Sequence, residues 1–257
     1  MHKSEQQQIG HKRMKSQLNV HYFQHIAGEG FGSCYEYLKS LNAQITATEF
    51  FALPLDRSLD IEALPSVDEV DLLIIMGGTM SVNDEANFPW LKVEKRWLRR
   101  YLSLGRPALG LCLGGQLIAN ALGAAVSRNP EQELGWHTVY KKNPTPEGCF
   151  DLPSQFKVMQ WHSETFEIPK GAVHLAENTA CKNQMYQIGK NVLGFQFHPE
   201  ITPEILKLFL ENDEELAIFS GTYVQSEMEL KRSPKENFLE GNQILKQAID
   251  YVLAQSK

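Results

Sequence analysis

Apolar positions along this chain fall into two textures that meet near residue 124. In the first, short unbroken apolar runs alternate with stretches whose apolar residues recur every three or four positions. Leu72-Leu73-Ile74-Ile75, inside Asp71–Met76, is apolar throughout and predicts a parallel strand covered on both faces. Leu18–Phe23, Thr46–Phe51 and Pro107–Leu111 are the other strands expected here. A glycine-bearing loop, Gly28 to Gly32, leads to a helix expected over Cys34–Leu41. Trp90, Val93, Trp97, Leu98 and Tyr101 mark a second helix, which Pro89 starts and Gly105 stops. Leu113, Leu117, Ile118, Ala121 and Leu122 share one face of a third, closed by Gly123. Alternating strands and helices imply a parallel α/β sheet with helices on both faces.

In the second texture, Ala125 to Phe197, the segments are short and β-like, with turn clusters such as Asn143-Pro144-Thr145-Pro146-Glu147-Gly148. This predicts a small β-rich extension. Thr202-Pro203 caps a helix expected from about Glu204 to Leu216. Ser233-Pro234 opens a last amphipathic helix, with Phe238, Leu245, Ile249, Val252 and Leu253 on one face. The expected division is a polar lead over 1–16, disordered or vector-derived, then one α/β domain over 17–215. A C-terminal helical segment over 216–257 packs on that domain; a homodimer contact is the alternative use of its stripe.

Composition narrows the class. A chain of 257 residues with 42 % apolar and 22 % charged residues is long enough for a sizeable core and ordinary for a soluble protein. The net charge of -6 argues against nucleic acid as the main partner. No apolar run approaches the roughly 20 residues that span a bilayer, and no secretory h-region is seen. The four cysteines, Cys34, Cys112, Cys149 and Cys181, form no C-x-x-C pair. A metal site is therefore not signalled, and the expected compartment is the reducing cytoplasm.

Chemistry concentrates at Gly110-Leu111-Cys112-Leu113-Gly114, between an expected strand and an expected helix. A nucleophile framed by glycines at such a junction is the pattern of a nucleophile elbow. A thiol there lies at a helix N-terminus, whose partial positive charge favours thiolate. The nucleophile needs a base and the base an orienter. Phe197-His198-Pro199-Glu200 follows the strand Val192–Gln196. It supplies an imidazole at the sheet edge and a carboxylate that can fold back to fix its tautomer. Oxyanion donors are expected at the Leu113 backbone N–H and in the glycine turn Gly77-Gly78.

Together, Gly77-Gly78, Gly110-Leu111-Cys112-Leu113-Gly114-Gly115-Gln116 and Gly194-Phe195-Gln196-Phe197-His198-Pro199-Glu200 resemble the class I, or triad, glutamine amidotransferases. The resemblance is to the stand-alone branch similar to the glutaminase domain of GMP synthase, and it covers roughly residues 18–212. It implies a flavodoxin-like, open, mostly parallel sheet and glutamine hydrolysis to glutamate and ammonia without a cofactor. By motif it makes Cys112 the nucleophile, His198 the acid–base and Glu200 the orienter. Gly78 and Leu113 become the oxyanion donors, and Gly77, Gln116, His162 and Glu164 the substrate contacts. Trp161-His162-Ser163-Glu164 departs from the histidine-glycine-aspartate of many relatives, the extra methylene shifting the carboxylate by about a bond length. Three functions are thereby posed: release of ammonia to a separate synthetase, hydrolysis of γ-glutamyl peptides or conjugates, and a non-catalytic binding module on the same fold. The chain shows no P-loop, so a synthetase acceptor is expected to be another polypeptide.

Overall fold

The computed structural model describes residues 17–53, 59–212 and 219–255. The lead over residues 1–16 lies outside them, as do residues 213–216 of the expected helix after Pro203.

The chain runs β1 (Asn19–Gln24), α1 (Cys34–Ser40), β2 (Gln44–Glu49), β3 (Leu72–Ile75), α2 (Trp90–Ser103), β4 (Ala108–Leu111) and α3 (Leu113–Ala121). It continues β5 (Val126–Lys141), β6 (Gln155–Phe166), β7 (Val173–Glu177), β8 (Met185–Ile188) and β9 (Val192–Phe195). Helices α4 (Pro203–Asn212), α5 (Glu227–Lys231) and α6 (Lys235–Ala254) close it. Among the described residues the strands form one sheet in the order β2-β1-β3-β4-β9-β8-β7-β5-β6. Neighbours from β2 to β9 are parallel; β8, β7, β5 and β6 add antiparallel pairs.

Two layers of helix cover the sheet, and the period of a strand sorts its residues between them. Leu72 and Ile74 of β3 join a core with Cys34 and Leu38 of α1 and Ile244, Leu245, Ala248, Ile249 and Val252 of α6. Leu73 and Ile75 face the other way, toward Trp90, Leu91, Trp97 and Leu98 of α2 and Leu113, Leu117 and Ile118 of α3. That is why β3 is apolar at every position: neither face meets water. No helix among the described residues is long and apolar enough to cross a membrane.

The second half differs from its sequence reading in scale. The segment after Ala125 forms two long strands, β5 of 16 residues and β6 of 12, that continue the same sheet. Pro130 and Gly135 resemble breakers, but a register shift between Arg128 and Glu133 absorbs the first. Gly135 stays in the ladder at φ +109°, a conformation open to glycine.

One fold residue carries a pH signature. His21 on β1 is 4 % exposed, its Nδ1 and Nε2 paired with Thr46 Oγ1 at 2.8 Å and Thr48 Oγ1 at 2.9 Å. Burial pulls its pKa down to about 4. The neutral ring is thus the stable folded form, and its contribution, whole above pH 6.5, is lost as pH falls through 4. The loss amounts to about 3 kcal/mol. Between pH 7 and pH 4, His21→Gln should therefore lose about 3 kcal/mol less unfolding free energy than the parent. Equal losses in urea titrations would show that the ring is not the source.

Candidate active site

Parallel pairing of β4 with β9 joins the two segments that carry the chemistry. Leu111 stands opposite Phe195, and the Cys112 N–H donates to the Phe195 carbonyl at 2.9 Å. Cys112 is held at φ +49° and ψ -109°, left-handed backbone that is strained in a residue with a side chain. Its neighbours permit this because they lack side chains. A Cβ on Gly110 would strike the Gly114 carbonyl, one on Gly114 the Ile75 carbonyl, and one on Gly115 the Phe195 carbonyl at 2.5 Å. These obstacles are backbone of the sheet and of helix α3 itself, so they cannot move aside. Gly114→Ala should destabilise by about 3 kcal/mol or more, read as a lower urea midpoint at unchanged slope. A cost below about 1 kcal/mol would mean that the helix can slide on the sheet.

Helix α3 begins at Leu113, so the Leu113 N–H is one of the first-turn donors without an intrahelical acceptor. The other expected donor, Gly78, lies in the turn after β3. A Cβ there would meet Leu113 Cδ2 at 2.8 Å, which places the two close together.

His198 follows β9, and its N–H donates to Met159 of β6 at 2.9 Å. Its Nδ1 donates to Glu200 Oε1 at 2.8 Å, and both side chains are 2 % exposed. The Cys112 sulfur lies within electrostatic reach of the ring, and both residues line one cavity. Burial works against the charged ring, but the Glu200 carboxylate and the Cys112 sulfur outweigh it, and the His198 pKa rises well above the ordinary histidine value. With Nδ1 committed to the carboxylate, Nε2 is left for the sulfur.

Helix α6, read from sequence only as an apolar stripe, fixes this turn. Asn242 Nδ2 donates to the Pro199 and Ile201 carbonyls, each at 2.9 Å. On the opposite side the Ser33 N–H donates to the Glu200 carbonyl at 3.0 Å.

A cavity of about 590 Å³ opens over Cys112, and Gly78, Gln116, His162, Glu164 and His198 line it. Glu200 is buried behind His198. The Gln116 amide nitrogen donates to the Glu164 carbonyl at 3.1 Å and to Gln196 Oε1 at 3.3 Å. Gln196 Nε2 approaches Cys112 Sγ at 3.8 Å. Gly77 packs against the site from below: a Cβ there would meet His198 Cε1 at 3.0 Å. Trp161 and Phe209 form an apolar wall, their rings edge to face at 5.3 Å. Trp136 is not among the cavity-lining residues; it packs on Phe238 of α6 and donates to Ser233 Oγ at 2.6 Å.

His162 sits between the Glu164 carbonyl and Glu133 Oε2, each at 3.0 Å. Glu133 had no signal in the sequence, yet it is fully buried and anchors a network. Asn178 donates to its Oε1 at 2.6 Å and Gln184 to its Oε2 at 2.8 Å. Among the described residues, Glu133, His162 and Cys181 form a group with metal-ligand spacing, their donor atoms within 4.8 Å. Their chemistry fits a hydrogen-bond network better. The carboxylate oxygens are already engaged, and Cys181 Sγ is paired with Thr165 Oγ1 at 3.2 Å, its pKa pushed up to about 11 by burial.

The family model for class-I glutamine amidotransferases matches residues 33–214. The glutamine amidotransferase-like protein YfeJ of Salmonella typhimurium is 30 % identical over 222 residues, covering 83 % of this chain and 90 % of that protein. Gamma-glutamyl peptidase 4 of Arabidopsis thaliana is 35 % identical over 115 residues, 42 % of this chain and 46 % of its own. The crystal structure of a glutamine amido transferase from Methylobacillus flagellatus superposes with a TM-score of 0.82 at 27 % identity, covering 93 % of this chain and 95 % of that one.

Proposed function

The chain belongs to the class-I glutamine amidotransferase family, and from that premise we propose that it hydrolyses a γ-glutamyl amide through a Cys112 thioester. The observation that carries this reading is a single chain of contacts. Glu200 holds His198 at Nδ1, His198 reaches Cys112, and Cys112 stands on a strained elbow facing a cavity.

In this reading His198 takes the thiol proton and the sulfur attacks the γ-carbonyl carbon. The carbonyl oxygen becomes negative and is met by the Gly78 and Leu113 N–H groups, each worth about 3–4 kcal/mol of barrier. His198, now imidazolium, protonates the leaving nitrogen; Glu200 stabilises that charge and keeps the ring aligned. Water, deprotonated by the same ring, then attacks the thioester and returns the thiol. Gln116, His162 and Glu164 bound the part of the cavity that receives the amino acid portion of the substrate, whereas Gly77, expected as a further contact, is not among the cavity-lining residues and its carbonyl is held by His25. The ammonia passes to a separate synthetase or is released.

The two leaving groups make different demands on the site. Ammonia needs no wall, whereas Trp161 and Phe209 offer apolar surface to a larger one. This favours a γ-glutamyl peptide or conjugate as a second substrate class, alongside free glutamine. Purified protein is to be incubated with glutamine and with γ-glutamyl dipeptides of small and aromatic leaving residues, with glutamate and ammonia measured. Glutamate from either series supports the thioester chemistry, and the kcat/KM ratio assigns the leaving group. Absence of turnover in both, with Cys112 unlabelled by a glutamine-like electrophile, would favour a non-catalytic module.

A further inference from the structure

Three buried histidine–carboxylate pairs lie around Cys112, of which His198–Glu200 and His162–Glu133 belong to the site described above. The third is His25, just after β1, with Glu94 of α2; both side chains are wholly buried. His25 Nε2 meets Glu94 Oε1 at 3.0 Å. Its Nδ1 donates to the Gly77 carbonyl at 3.0 Å. The ring stacks on Phe50, 5.4 Å away and 6° from parallel, and on Trp90, 5.6 Å away and 20° from parallel. Burial disfavours charge on this ring, but Glu94, the Gly77 carbonyl and Glu29 together raise its pKa. Ring position and donor direction are thus fixed by packing on its faces and by hydrogen bonds at both nitrogens.

What the pair holds is a peptide plane. The Gly77–Gly78 bond is trans. A trans peptide points its C=O and N–H in opposite directions. The Gly77 carbonyl is turned away into the layer of α2, toward His25, so the Gly78 N–H is turned the other way. Gly78 lines the cavity with Cys112. Glycine on both sides of this peptide leaves little steric resistance to rotating it by half a turn. The rotated plane would present a carbonyl oxygen, not a donor, to the developing negative charge.

We propose that His25, braced by Glu94, is a positioning residue that locks the Gly77–Gly78 peptide with the Gly78 N–H aimed at the oxyanion; this rests on the thioester reading above. His25→Phe keeps the stacked ring and deletes the donor, while His25→Asn retains a donor near the place of Nδ1. In His25→Phe, kcat should fall about 100-fold, the scale of one oxyanion donor, with KM little changed. Inhibition by the aldehyde analogue of glutamine, whose Cys112 adduct carries the same oxyanion, should weaken in parallel. Alkylation of Cys112 by iodoacetamide needs no oxyanion donor and should keep its rate. His25→Asn should recover most of the loss.

A His25→Phe protein with unchanged kcat, or one whose alkylation falls together with kcat, overturns the proposal. A second readout stands apart from activity. In glycine-labelled protein the Gly78 amide resonance should shift or double in His25→Phe and keep its place in His25→Asn. If the parent protein hydrolyses no γ-glutamyl substrate, the thioester reading fails while this resonance still decides the positioning role. A Gly78 signal unmoved in His25→Phe ends it. Should His25→Phe fail to fold, Glu94→Gln takes its place, and its Gly78 resonance and kcat are expected to move in the same direction by less.

Discussion

Cys112→Ala should lose γ-glutamyl hydrolysis by about 10⁵-fold or more, because no other group can form the covalent intermediate. The side chain is 5 % exposed and makes few strong contacts, so the fold should survive the change. Cys112→Gly sharpens the test. At φ +49° and ψ -109° a residue with a Cβ is strained by about 1–3 kcal/mol, and glycine removes that strain at an entropic cost of about 0.5–1 kcal/mol. The glycine variant should therefore be equally inactive yet at least as stable as the parent in urea titrations. An inactive variant that had also unfolded would say nothing about chemistry; an inactive and firmer one ties the strain to the nucleophile. Retained turnover in either variant would remove Cys112 from the reaction.

Glu200→Gln should lower kcat by about 10³–10⁴-fold while leaving the cavity open to substrate. The amide can still meet Nδ1, but when its NH₂ is the donor the ring proton sits on Nε2 and the base toward sulfur is gone. The buried ring also loses its counter-charge. Burial, which already opposes the charged ring, then acts with less opposition, so the His198 pKa should fall from its raised position. The sign is fixed: in the parent the imidazolium persists above the ordinary histidine range, and in the variant it is lost at lower pH. A ring-proton NMR titration of His198 reads this directly. An unshifted titration would mean that the carboxylate does not set the charge state of the ring.

Much of the site could be read along the chain because its parts are local. Gly110, Cys112, Gly114 and Gly115 form one strand–turn–helix junction, and the constraint that selects glycine acts over a few residues. His198 and Glu200 are two apart and meet across a single turn. The short capping box of α5, Ser226 with Glu229, was equally local and visible, but its five residues carry too little apolar periodicity to suggest a helix. The length of β5 was hidden because Pro130 and Gly135 carry breaker chemistry that only a bulge, seen in the pairing with β6, makes compatible with a strand.

The supports of the site were out of reach for a different reason. His25 reaches Gly77 across 52 positions and Glu94 across 69, and Asn242 clamps Pro199 across 43. Glu133 meets Gln184 across 51. Each of these polar groups has an ordinary local neighbourhood and is satisfied only by a partner that the sheet order brings near. By itself the chain determined its two-faced parallel strands, its helical stripes and the strained thiol at their junction, since these follow from side-chain period and backbone sterics over a few residues. Only the tertiary structure decided which buried imidazole faces the sulfur and which carbonyl His25 holds. Hydrogen-bond partners are chosen by distance in space, and distance in space is set by strand pairing that no local stretch of sequence encodes.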